Sequence, residues 1–299
     1  MSKVAAIVLH YRSWEDTLTC VSSLFALEHR AGLSVWVVLN GRDGAGGGSE
    51  LLHRFPEVHV VELAENLGFA GGMNAGMREA MARKPDFVWL LNNDVWVEHV
   101  ALSALREAAL AQPDVGLWGA VITHWEAPHA VQAWGAGKIH PILGVTTLCT
   151  SLPDTLGRHH YVVGASLFVR AEVLHHVGLL DEGFFLYFED TDWSLRMQQA
   201  GWTLGVAPDA RIRHKVGAAS GGVSARTDYQ MNRSAVRFWR RHAVWPWVPI
   251  LAGVMLRIFK RVLQGDLQRA GAVGKGAMAG WREEETTPVN TQLHNGDAD

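Results

Sequence analysis

Residues 58–94 read VHVVELAENLGFAGGMNAGMREAMARKPDFVWLLNND. Residues 58–63 have the β-branched character of a strand. Residues 70–83 space their apolar side chains as a helix does, and Pro85 stops it. Residues 87–91 are a continuous apolar run, as expected of a strand buried on both faces. Strand, helix and strand in this order are the rhythm of a mostly parallel, doubly wound sheet.

The same rhythm extends outward. Val4–His10 is another β-branched apolar run, residues 15–27 carry helical spacing, and 34–40 read as a strand with a loop at 41–48. Downstream, 98–111 read as a helix and 115–122 as a strand. Residues 123–160 are rich in Trp, His, Gly and Pro and predict loops and short antiparallel strands. A strand resumes at 161–169, where Gly164 and Ala165 permit close approach, and 171–177 read as a short helix. The expected class is α/β and Rossmann-like, a mostly parallel sheet with helices on both faces. Ligands of such sheets bind outside the carboxyl ends of the strands. His10, Tyr11, Asn40, Asn66, Asn92, Asn93 and Asp94 all fall there.

The chain has 299 residues, 48% of them hydrophobic, enough for one large domain with an appendage. A net charge of −3 argues against a general polyanion binder, so no nucleic-acid partner is expected. Cys20 and Cys149 suit buried fillers in a reducing compartment better than a disulfide framework. The N-terminal apolar run is too short for a signal-peptide core, so the catalytic part is expected in the cytoplasm.

Residues 184–214 read FFLYFEDTDWSLRMQQAGWTLGVAPDARIRH. Glu189, Asp190 and Asp192 sit among apolar neighbours, where carboxylates are costly unless paired, metal-bound or reactive. Each residue here also has a plainer reading. Asp190 could cap a helix, Asp192 could pair with Arg196 four residues on, and Glu189 could orient a loop. Trp193 could be core rather than a sugar platform, and His214 could be structural. Gly68, Gly71 and Gly72 precede a helix whose backbone N–H groups could cradle a diphosphate, or they form only a tight turn. The run LLNNDV ends in Asp94, which could hold Mg²⁺ or Mn²⁺ or merely cap a turn.

Taken in order, AAIVLHYRSWEDTLTCVSSL, NLGFAGGMNAG, LLNNDV and VGLLDEGFFLYFEDTDWSLRMQQAGW with its trailing RIRH resemble family 2 inverting glycosyltransferases, near the bacterial rhamnosyltransferase-like branch, over residues 4–220. The resemblance implies a GT-A type fold and a dTDP- or UDP-linked sugar donor. It also implies a glycan or lipid-linked acceptor in cell-surface polysaccharide synthesis, with rhamnose as the sugar that branch suggests. It implies Asp94 and His214 as ligands of Mg²⁺ or Mn²⁺. Asp190 becomes the catalytic base, with Glu189, Asp192 and Trp193 around the acceptor. Tyr11, Glu15, Asn40, Asn66, Gly68, Gly71, Gly72, Asn92 and Asn93 face the nucleotide sugar. Many relatives carry Asp-Asn after the second strand, where this chain has Leu39-Asn40, so base recognition is expected to shift to Asn40 or Arg42. Sugar nucleotidyl transfer and a non-catalytic membrane-bound scaffold are the alternatives. HYRSWED lacks the basic glycine-rich loop of the first, and the presence of Asp94, Asp190 and His214 opposes the second.

Residues 1–225 are thus expected to form the catalytic domain, 226–282 a basic apolar helical appendage and 283–299 a disordered tail. Between residues 229 and 265 there are seven Arg or Lys and no Asp or Glu. The apolar run 244–256 is too short to span a bilayer. With its tryptophans and flanking cations it suits an interfacial helix on anionic lipid at the inner membrane face. A helix packed on the catalytic domain or in a homodimer interface is the other reading.

Overall fold

The computed structural model describes residues 2–41, 47–215 and 224–283. The first half alternates as expected: β1 (Val4–His10), α1 (Trp14–Phe25), β2 (Leu33–Asn40), α2 (Gly47–Arg54), β3 (His59–Leu63), α3 (Gly68–Met81) and β4 (Phe87–Asn92). There follow β5 (Val95–Val97), α4 (Ala101–Ala111), β6 (Val115–His124), β7 (Val131–Ala133), β8 (Ala136–His140), β9 (Val145–Leu148), β10 (His160–Val162), β11 (Ser166–Arg170), α5 (Ala171–Val177), α6 (Glu189–Gln199) and β12 (Thr203–His214). The chain continues through α7 (Ala225–His242), α8 (Trp247–Leu263) and α9 (Leu267–Arg282).

The main sheet has the order β3-β2-β1-β4-β11-β6-β12-β5, with β7 on β6. β3, β2, β1, β4, β6 and β12 run one way, while β11, β5 and β7 oppose them. β1 shows why the sheet is buried on both sides. Its Val4, Ala6 and Val8 enter the core under α1 and α4, and its Ala5, Ile7 and Leu9 enter the core under α3, α5 and α6. Successive side chains of a strand point to opposite faces, so an unbroken apolar run needs helices on both. A second sheet, β10-β8-β9, is antiparallel and built from the irregular middle.

Three details differ from the pattern read off the sequence. The segment 161–169 is two strands: β10 pairs with β8, and β11 pairs with β4 and β6. Gly164 lies in the break and gives its N–H to Asp190 at 2.8 Å. The helix expected from residue 98 starts at Ala101, because Glu98 closes a turn onto the Ala101 N–H and its carboxylate takes Arg213 Nε at 2.7 Å. α2 begins inside the segment expected as a loop; residues 42–46 of that loop, Arg42 among them, lie outside the described residues, as does the tail from 284.

α7 is not a loose appendage. Ala235, Val236, Phe238 and Trp239 share a core with Phe184, Phe188, Ile139 and Tyr161. Among the described residues no helix is long and apolar enough to cross a membrane.

Candidate active site

The carboxyl ends of β1, β4 and β12 and the start of α6 meet at one end of the sheet. The chain reaches α6 through an unusual turn. Tyr187 and Phe188 have φ of +71° and +68°, a region that costs a bulky side chain about 1–3 kcal/mol. Phe188 is buried in the α7 core, which holds the turn in place. Arg12, just past β1, has φ +73°, so backbone strain flanks the site on both sides.

Asp190 stands in the first turn of α6. Its Oδ2 accepts from Gly164 N at 2.8 Å, and its Oδ1 accepts from Thr191 N at 2.6 Å and Thr191 Oγ1 at 3.1 Å. A Cβ at Gly164 would lie 3.1 Å from Oδ2, so glycine makes room for this carboxylate. Burial raises the Asp190 carboxyl above its ordinary range, and the N–H groups of Gly164 and Thr191 pull it partly back. Glu189 is buried, and its Oε2 has no hydrogen-bond partner. Burial first, then the Asp190 charge, pushes its carboxyl well above the usual range. Between the two, the proton stays on Glu189, because donors converge on Asp190 and stabilise its anion.

The link to the second acidic point is short. Ala165, next to Gly164, accepts from Asn92 N at 3.3 Å across β11 and β4. The Asn92 amide lies 3.5 Å from His214 Nε2, and His214 Nε2 lies 3.3 Å from Asp94 Oδ1. His214 Nδ1 faces Gln132 Oε1 at 3.4 Å, which favours the proton on Nδ1 and leaves the Nε2 lone pair toward Asp94. Asp94 is buried, and its Oδ1 accepts no hydrogen bond. A bare carboxylate oxygen facing an imidazole lone pair is the arrangement a shared cation resolves, so the residues fit a divalent ion. Among the described residues no three His, Cys, Asp or Glu side chains cluster as a metal cage. The ion would therefore take most ligands from substrate oxygens and water, as Mg²⁺ and Mn²⁺ do. Cys20 lies nearby; burial and then Asp94 push its thiol far up, which keeps it an inert filler.

Several expected contacts turn inward instead. Asn40 accepts from Leu67 N at 2.9 Å and donates to Asn66 Oδ1 at 3.0 Å and Gly68 O at 2.8 Å, so its amide clamps the glycine loop and spends both N–H donors there. Leu39 packs on the core. Asn66 Oδ1 takes Gly68 N at 2.8 Å, and Phe185 O takes Phe69 N at 2.7 Å. The first two N–H groups of α3, those of Gly68 and Phe69, are thus satisfied by protein. Gly68 has a φ of +76° and a Cβ there would strike Phe185 O, Gly72 lies against Leu9, and Gly71 lies against Leu67. These glycines serve close packing. Asn93 is buried and donates to Thr17 Oγ1 at 3.0 Å, tying the Asp94 turn to α1.

Two residues placed near the acceptor also face away. Trp193 is fully buried, with Nε1 donating to Gly178 O at 3.0 Å, so no ring face is left for a sugar. Asp192 is fully buried in an ion cluster: Arg196 Nε at 2.8 Å, Arg241 Nη1 at 3.0 Å and His242 Nε2 at 2.8 Å. Its pairing with Arg196 is the plain reading of the sequence; Arg241 and His242 come from α7. Tyr11 and Glu15 stay at the open end of β1, Glu15 exposed.

Asp16 and Lys215 went unread in the sequence. Asp16 is in the first turn of α1, where its N–H bonds the capping Ser13 Oγ, and Lys215 Nζ meets its Oδ1 at 2.6 Å. The S-x-x-D spacing of Ser13 and Asp16 is a helix-start signal that would have marked the first of them.

A family model described as glycosyltransferase like family 2 matches residues 2–236. An N-acetylglucosaminyl-diphospho-decaprenol L-rhamnosyltransferase of Mycobacterium tuberculosis is 26% identical over 222 residues, covering 67% of this chain and 72% of the relative. A dTDP-rhamnosyl transferase of Shigella flexneri is 23% identical over 170 residues, covering 55% of this chain and 54% of the relative. The mannosyltransferase of Pyrobaculum calidifontis, solved with GDP-Man and Mn²⁺, superposes with a TM-score of 0.60 at 16% identity over 93% of this chain and 76% of that one. GalNAc-T7, solved with UDP, GalNAc and Mn²⁺, superposes with a TM-score of 0.66 at 13% identity over 95% of this chain and 56% of that one. At these identities the two structures establish the shared GT-A type fold.

Proposed function

Because this chain belongs to the glycosyltransferase-like family 2, we propose that it moves a sugar, rhamnose first among the candidates, from a dTDP- or UDP-linked donor to a hydroxyl of a glycan or lipid-linked acceptor, with inversion. The observation that carries this reading is the unpartnered Asp94 Oδ1 facing His214, linked through Asn92, Ala165 and Gly164 to Asp190. Asp190 takes the proton of the acceptor hydroxyl as it attacks the anomeric carbon. A single displacement inverts that carbon and needs no nucleophile from the enzyme. Glu189 keeps its proton and so adds no second charge beside the base. Asp94 and His214 would hold Mg²⁺ or Mn²⁺, which when bound offsets the charge of the departing diphosphate. Family membership favours this over sugar nucleotidyl transfer. In a transfer assay, excess EDTA should abolish release of the nucleoside diphosphate, and full activity in EDTA would remove the metal from the reading.

Peripheral membrane attachment belongs to the same reading, through α8. Trp247, Leu251, Met255, Phe259 and Leu263 are all exposed and recur at helical spacing, and Trp245 is exposed just before the helix. The charge expected to assist them is largely committed elsewhere. Arg237 pairs with Asp181, Arg241 with Asp181 and Asp192, Arg261 with Asp228 and Arg233 with Glu283. Arg240 and Arg257 bond backbone carbonyls, while Lys260 is exposed. Apolar insertion therefore leads, and dependence on salt and anionic lipid should be weaker than the sequence suggests. Replacing Leu251, Met255 and Phe259 with Ser should move the folded chain from vesicle pellet to supernatant in co-sedimentation. If the native chain stays in the supernatant with vesicles, α8 covers its face with another protein surface.

A further inference from the structure

Lys215 follows His214 directly, and its backbone N–H donates to Asp94 O at 3.0 Å. Its ammonium does not point to solvent but crosses to α1 and ends 2.6 Å from Asp16 Oδ1 and 4.4 Å from the centroid of the Trp125 ring. β1 leads through α1 to β2 on one side, and α3 returns the chain to β4 on the other. The gap between the ends of β1 and β4 is the point where the connections reverse, the usual ligand crevice of such a sheet. The Lys215 side chain starts beside the Asp94 backbone, just past the end of β4, and ends on Asp16 in the first turn of α1, just past the end of β1.

We infer that Lys215 is the protein cation that receives the donor's diphosphate, and that Asp16 holds its ammonium while no donor is bound. The inference rests on the reading of this site as a nucleotide-sugar site. An ammonium on a flexible four-carbon stem suits such a transfer, since it trades one oxyanion for another without losing its charge-assisted bond. The Asp16 side chain keeps only 10% of its exposure and that of Lys215 30%, so the pair is shielded enough to hold yet open enough to be displaced. Asp16 then competes with the diphosphate for one cation, which gives its removal an effect opposite in sign to removal of Lys215.

Binding of dTDP, UDP and the corresponding monophosphates to the full chain is measured by calorimetry, in Mn²⁺ and in EDTA. Lys215→Met should weaken diphosphate binding roughly 10- to 100-fold and shrink the preference for diphosphate over monophosphate, and Lys215→Arg should restore part of it. Asp16→Asn should tighten diphosphate binding in EDTA. A bridge that only braces the fold predicts that Lys215→Met and Asp16→Asn weaken binding alike, and that result overturns the inference, as does unchanged affinity in Lys215→Met. A native chain that binds neither diphosphate overturns the nucleotide-sugar reading and this inference with it.

Discussion

Replacing Asp190 by asparagine should lower transfer by roughly 10²–10⁴-fold while donor binding survives. The amide keeps the shape and one acceptor oxygen, so the Thr191 N–H and hydroxyl can still be satisfied. Its NH₂ meets the Gly164 N–H, two donors face to face, which costs about 1–3 kcal/mol. A modest fall in Tm is therefore expected, and it must be separated from the loss of rate. The pH profile makes the separation. Burial raises the Asp190 carboxyl, and only the ionised form can act as base, so native activity should rise with pH through a value above the ordinary carboxylate range. That limb should vanish in Asp190→Asn. Wild-type rates in the variant would hand the proton transfer to another group.

The second large effect is on stability. Asp192→Ala should cost about 3–5 kcal/mol, because it leaves the largely buried Arg196 with no carboxylate, only the carbonyls of Val177 and Leu179, and leaves Arg241 with Asp181 alone. The cluster joins α6, which carries the proposed base, to α7, so loss of Asp192 should also loosen the turn at Phe188. Burial alone would raise this carboxyl, but the His242 hydrogen bond and the Arg196 and Arg241 charges hold it well below the usual range. A depressed folded-state value stabilises the fold above the unfolded carboxylate's pKa of about 3.9 and is lost as pH falls below that. Native protein should lose stability in acid more steeply than Asp192→Asn, by denaturant unfolding at several pH values. Equal Tm in native and Asp192→Ala would mean that the α6–α7 cluster contributes nothing.

The strands and helices around residues 4–122 were legible because buried parallel strands leave unbroken apolar runs and Pro85 punctuates them. β5 was not, since three residues directly after Asp94 carry no period; their pairing with β12 comes from the fold. The residue types that the proposed chemistry needs were legible at Asp94, Asp190 and His214. Which way a polar side chain turns was not. Asn40, Asn93 and Asp192 look alike as strand-end or helix-start residues, yet Asn40 closes on Leu67 and Gly68, Asn93 closes on Thr17, and Asp192 meets Arg241 and His242 from 49 and 50 residues away. The arginines of α7 and α8 read as a free basic stretch for the same reason: their acidic partners lie far off in sequence.

Thermal unfolding of the full chain with UDP-, dTDP- and GDP-sugars, each in Mn²⁺ and in excess EDTA, joins donor, metal and site in one readout. One nucleotide sugar should raise Tm in Mn²⁺ by mass action, and the rise should shrink both in EDTA and in Asp94→Ala. No rise with any nucleotide sugar, or the same rise in EDTA and in Asp94→Ala, would contradict metal-assisted sugar transfer at this site.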